Sequence, residues 1–71
     1  MSKHVELLNK VTEGWTESHS TGMLVNSKNL DIIDVAPVVN EWFIISDYGT
    51  FEGYENRDDA VEAYIALIRK A

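Results

Sequence analysis

The chain has 71 residues, no cysteine, and twelve acidic against six basic residues, for a net charge of -6. That length suits one small domain of roughly 4–10 kcal/mol stability, with no disulfide framework and no thiolate metal site. No apolar run nears the ~18 residues of a membrane-spanning helix, and Met1-Ser2-Lys3-His4 does not open an apolar leader, so a cytoplasmic protein is expected.

Ser2 is suited to cap a helix from Lys3 to Glu13, with Gly14 stopping it. Val5, Leu8, Val11 and Trp15 follow helical spacing and form one apolar stripe. Residues 16–29 are rich in Ser, Thr, Asn and Gly. They read as a loop that holds a short strand or a single apolar anchor at Met23-Leu24-Val25. Leu30 to Val35 reads as a strand, with a short helix as its rival because Asp31-Ile32-Ile33-Asp34 does not alternate strictly. Pro37 ends it in either case, since proline has no N–H to donate.

The clearest element is a hairpin of Glu41–Ser46 and Thr50–Glu55, joined by Asp47-Tyr48-Gly49 as a three-residue loop with Gly49 at positive φ. That loop pairs Ser46 with Thr50, Ile45 with Phe51, Ile44 with Glu52, Phe43 with Gly53 and Trp42 with Tyr54. Phe43, Ile45, Phe51 and Gly53 then form the core face, and Trp42, Ile44, Thr50, Glu52 and Tyr54 the wet face. Asn56 is suited to cap a last helix over Arg57–Lys70, with Asp58 and Asp59 in its first turn and Arg69 and Lys70 in its last, as the helix dipole favours. Ala60, Val61, Tyr64, Leu67 and Ile68 share its inner stripe, with Ile65 at the edge and Glu62 and Arg69 outside. The fold class expected for residues 1–71 is a small acidic α+β domain. A sheet of about three antiparallel strands carries an N-terminal and a C-terminal helix on one face.

Few residues suggest chemistry. Ser18, His19, Ser20 and Thr21 set hydroxyls beside an imidazole, but sequence neighbours seldom point together and no oxyanion-forming turn follows. His19 reads as a solvated loop residue and His4 as an exposed one. Asp31 with Asp34, and Asp58 with Asp59, offer oxygens that magnesium accepts, yet dipole compensation already explains the second pair. No glycine-rich phosphate loop is present. Accordingly no catalytic residue, cofactor or metal ligand is expected, and the chain is read as a non-enzyme.

The run Glu41-Trp42-Phe43-Ile44-Ile45 through Phe51-Glu52-Gly53-Tyr54, then Asn56 to Ala63, resembles the integrase-arm DNA-binding domains, in which an aromatic-led hairpin precedes an acid- and Ala-bearing helix. In that family the exposed sheet face carries Arg and Lys. The matching positions here, Trp42, Ile44, Thr50, Glu52 and Tyr54, contain no base, so the resemblance implies architecture and not DNA binding.

Charge supplies the remaining signal. Asp31, Asp34, Glu41, Asp47, Glu52, Glu55, Asp58, Asp59 and Glu62 face only Arg57 within residues 31–62, a sum of -9 + 1 = -8. Such a field repels phosphates and steers association with a basic partner. The expected function is a non-catalytic inhibitor or regulator that docks on a basic, nucleic-acid-binding protein, its carboxylates standing in for phosphates. The partner-binding residues expected are Trp42, Glu52, Tyr54, Glu55, Asp58 and Asp59. In size, charge and economy the chain resembles the small acidic proteins that phages direct against host nucleases, restriction systems or polymerases, which would place it in the host cytoplasm. The alternative is a structural module that pairs with its own copy through Trp42, Ile44 and Tyr54.

Overall fold

A computed structural model describes residues 2–70. Helix α1 (Lys3–Val11) leads into strands β1 (Trp15–Glu17), β2 (Leu24–Asn26), β3 (Ile32–Ala36), β4 (Glu41–Ser46) and β5 (Gly49–Tyr54), and helix α2 (Arg57–Lys70) follows. The strands form a five-stranded antiparallel meander in chain order. The α+β class holds, with two strands more than the three expected. One, Leu24–Asn26, takes the short-strand alternative offered for the 16–29 loop, and the other, Trp15–Glu17, begins at a residue expected on the first helix; the two pair with each other, and each run is only three residues long. Three residues are too few for a period-2 pattern to show.

Both helix starts follow their caps. The Ser2 hydroxyl accepts from the Val5 N–H at 3.2 Å, and the Asn56 side-chain oxygen accepts from the Asp59 N–H at 2.8 Å. Helix α1 stops at Val11, two residues before the expected Glu13, as Thr12 takes an extended backbone. This early exit turns Trp15 from a helical stripe into the first strand. The Asn9 side chain makes the corner, accepting from the Gly14 and Trp15 N–H groups at 3.1 and 2.9 Å.

Helix α2 lies on β3, β4 and β5, and α1 lies on β1 and on α2. The core joins Val5 and Leu8 of α1, Trp15, Leu24, Ile33 and Ile44 of the sheet, and Ala60, Val61 and Tyr64 of α2. Each large side chain buried there contributes about 1.5–3 kcal/mol. The Trp15 and Tyr64 rings meet edge to face at 5.1 Å. Within the core the Tyr64 hydroxyl donates to Asp31 Oδ2 at 2.5 Å, and both residues are buried. Burial, and then the Asp31 carboxylate, push the Tyr64 phenol well above its ordinary value. Buried Asn26 ties the β2–β3 turn: its oxygen accepts from the Lys28 and Asn29 N–H groups and its amide donates to the Glu13 carbonyl.

The hairpin register differs from expectation in an instructive way. Ser46 pairs with Gly49, Ile45 with Thr50, Ile44 with Phe51 and Phe43 with Glu52. The loop is therefore the two residues Asp47-Tyr48, closed by the Ser46 hydroxyl, which donates to the Gly49 carbonyl at 3.0 Å. Gly49 does have a positive φ, of 130°. A bulge at Gly53 (φ 91°) then absorbs one residue, so Trp42 and Tyr54 still pair as expected.

The two faces of β4 are reversed. Ile44 lies in the row Leu24–Ile33–Ile44–Phe51 beneath the helices, and Trp42 and Tyr54 pack, half-buried, against the core. Phe43 and Ile45, expected in the core, lie on the face opposite the helices. Leu67, expected to be buried, is partly exposed, whereas Tyr64 is buried and Glu62 and Arg69 are exposed as expected.

Candidate functional site: the open face of the sheet

Both helices lie on one side of the sheet, and the other side is open. Strand pairing writes its composition directly. One row across all five strands reads Thr16, Val25, Ile32, Ile45, Thr50. A second reads Asp34, Phe43, Glu52, and a third Ala36, Glu41. Val25, Ile32 and Phe43 are half-buried by their neighbours, and Ile45 is 41% exposed. The face thus has an apolar centre with carboxylates along one side and hydroxyls at both ends. No strand residue is Lys, Arg or His. In the β3–β4 turn, Val38 and Val39 are 95% and 59% exposed.

The residues expected to bind a partner are divided by this geometry. Glu52 lies on the open face beside Phe43, while Trp42 and Tyr54 turn toward the helices. Glu55 and Asp59 are exposed at the β5–α2 junction. Asp58 is engaged: it accepts from His4 Nε2, which holds its carboxyl below the usual range. The six residues do not share one surface. The apolar pair that accompanies Glu52 is Phe43 and Ile45. No sequence signal separates the two pairs, because Trp42-Phe43-Ile44-Ile45 is apolar on both sides of the pleat.

His4, expected to be exposed, is instead part of a polar cluster that fastens four segments. Arg57 Nε donates to His4 Nδ1 at 2.9 Å, and Arg57 Nη1 donates to the Gly22 carbonyl at 2.9 Å and to Glu17. An accepting Nδ1 leaves the ring proton on Nε2, where it is donated to Asp58. The Arg57 guanidinium holds the Glu17 carboxyl below its ordinary value. With α1, β1, the β1–β2 loop and α2 all joined here, the cluster has the character of a clamp. His19 is exposed in the β1–β2 loop.

The first turns of both helices line a shallow depression with Lys3, His4, Asn56, Asp58 and Asp59. Helix N-termini favour anions, but Asp58 and Asp59 already supply negative charge at this one. Among the described residues no three His, Asp or Glu side chains converge as a metal ion requires. No helix among them is long and apolar enough to cross a membrane. Comparison with known proteins finds no matching family model, no matching curated protein and no matching solved structure.

Proposed function

We propose that this chain is a non-catalytic protein-binding inhibitor or regulator that docks the open face of its sheet on a basic protein, one whose groove ordinarily holds nucleic acid. The observation that carries the reading is the face itself. Phe43 stands between Asp34 and Glu52 in one cross-strand row, with Ile32 and Ile45 in the next. Aromatic and branched side chains at the centre of a patch supply the desolvated anchor of a protein interface. Carboxylates at its margin supply steering toward positive charge. Asp34 and Glu52 are two strands apart, roughly 9–10 Å at the usual strand spacing. Phosphates follow one another about every 3.4 Å along a DNA strand, so these acids match a phosphate track at intervals of several nucleotides. The absence of any strand Lys or Arg argues against a nucleic-acid surface, because that affinity rests on neutralising phosphates.

The test begins with a partner recovered by affinity capture and identified, then measured by surface kinetics over a range of salt. Neutralising Asp34, Glu41 and Glu52 together is expected to slow association and flatten its salt dependence, since marginal charges act on the on-rate. Phe43→Ser is expected to speed dissociation, and a DNA duplex is expected to compete. An unchanged on-rate and salt slope in the triple variant would end the mimicry reading. The alternative, a self-pairing structural module, draws on the same apolar row. It predicts dimers by sedimentation that strengthen as salt screens the net charge of -6.

A further inference from the structure

A neighbouring surface, which shares Thr50 and Glu52 with the proposed docking face, has the makings of a peptide site. Among the described residues, strand β5 is the last of the sheet and pairs only with β4. An antiparallel ladder turns the N–H and C=O of alternate residues outward, here without a strand beside them. With Ser46 and Gly49 closing a two-residue hairpin, the outward residues are Thr50 and Glu52. Directly inside this edge, between β5 and α2, runs an apolar groove of about 280 Å³ lined by the core residue Ile44 together with Phe51, Tyr54, Ala63, Ala66, Leu67 and Lys70. Ala63 and Ala66 make its helix wall shallow, and Phe51 is left 37% exposed. Strand edge and groove are adjacent because α2 is centred over β3 and β4 and reaches β5 less.

We propose that this edge accepts an extended segment of another protein as a sixth strand, one that alternates apolar and basic residues. Side chains of neighbouring strands at paired positions lie on the same face. Every second residue of the added strand therefore stands beside Phe51 and enters the groove, where the lining calls for an apolar side chain. The intervening residues stand beside Thr50 and Glu52 on the open face, where Glu52 calls for Lys or Arg. Lys70, the one base in the lining, sits in the last turn of α2, at one end of the groove. Main-chain bonds give such a complex affinity and the groove gives it selectivity. The bulge at Gly53 limits the added ladder to Gly49–Glu52. A second copy of β5 is a poorer occupant than a basic segment, since it would bring its own Glu52 to the same edge.

The probe is an acetylated, amidated heptapeptide alternating Lys and Val, titrated into the full chain and followed by backbone amide NMR. Binding is expected to shift and protect the Thr50 and Glu52 amides. N-methylating the Val residues, or separately the Lys residues, tests each ladder register, and one of the two is expected to weaken binding about tenfold or more. Ala66→Trp, at an exposed position, is expected to fill the groove with the same effect, and Glu52→Lys to weaken binding further. Phe43→Ser on the open face is expected to leave peptide affinity within about twofold, which separates this site from the proposed docking face. The proposal is overturned if the peptide shifts Ile32 and Ile45 instead of β5, if neither N-methylation nor Ala66→Trp weakens it, or if no binding occurs at millimolar peptide. It is equally overturned if β5 amides become protected with protein concentration alone, which would assign the edge to a second copy.

Discussion

At the scale of single residues, the most consequential polar group is Asp31. It reads from sequence as one more member of an acidic window, yet it is buried against Tyr64. Tyr64→Phe leaves that carboxylate without its donor. A loss of about 1–3 kcal/mol is expected in urea unfolding. The same pair sets an alkaline limit. The phenol's value is raised in the folded state, so the folded chain holds this proton where the unfolded chain releases it. Its contribution is complete below the ordinary tyrosine value of about 10 and is lost as pH rises beyond it. In an absorbance titration Tyr64 is expected to ionise only together with unfolding. Gly49 is legible in the sequence as a turn residue and does take positive φ. Gly49→Ala is expected to cost about 1 kcal/mol or more by chemical denaturation. Asn9 and Asn26, which stitch corners through buried or half-buried amides, carry no sequence signal that separates them from loop asparagines.

At the scale of elements, α2 was the most legible. Its cap, dipole-matched charges and Tyr64 stripe all appear as the spacing implies. The exception is Leu67, which lines the groove beside β5 rather than the core. Leu67→Ala is therefore expected to cost clearly less than Ile44→Ala. The latter empties a position 1% exposed, for which losses of about 2–5 kcal/mol are usual. Measuring both by equilibrium denaturation tests the docking of α2 and the reversed face of β4 together. The clamp at Arg57 adds an acid limit. Glu17 and Asp58 both have lowered values in the folded state. The stability they contribute is present above the ordinary carboxylate range and lost as pH falls through the folded values. Arg57→Gln is expected to lower the unfolding temperature at neutral pH and to shrink its fall on acidification. An unchanged acid limb would mean that the cluster does not hold α1, β1 and α2 together.

At the scale of the whole molecule, one-sided helix packing matters most. Both helices lie on the same face of the five strands, so a face with an apolar centre and an acidic margin is left open. Exposed apolar patches on small proteins mark surfaces of interaction, and in the proposed function the acidic margin is what would favour a basic partner. The net charge of -6 also predicts how the open faces behave toward each other. At low salt the chain is expected to sediment as a monomer, and any dimer is expected to grow as salt rises. The opposite salt trend would count against the charged margin as the element that keeps copies apart.

Local chemistry determined the helix caps, the stop at Pro37, the existence of the hairpin, the buried stripe of α2 and the acidic character of the chain. Each depends on residues within a turn or two of one another, and sequence spacing reports that range directly. Tertiary structure alone decided which face of β4 is inside. Trp42-Phe43-Ile44-Ile45 is apolar on both sides of the pleat, so its period carries no direction. The choice falls to Ile33 on β3 and Leu24 on β2, which align with Ile44 under Val61 and Tyr64. It was also tertiary structure that made strands of Trp15–Glu17 and Leu24–Asn26, because three-residue segments hold their shape only when paired. The acidic character of the open face was thus readable in the chain, but its apolar residues, Phe43 and Ile45 in place of Trp42 and Tyr54, were set only when the sheet was assembled.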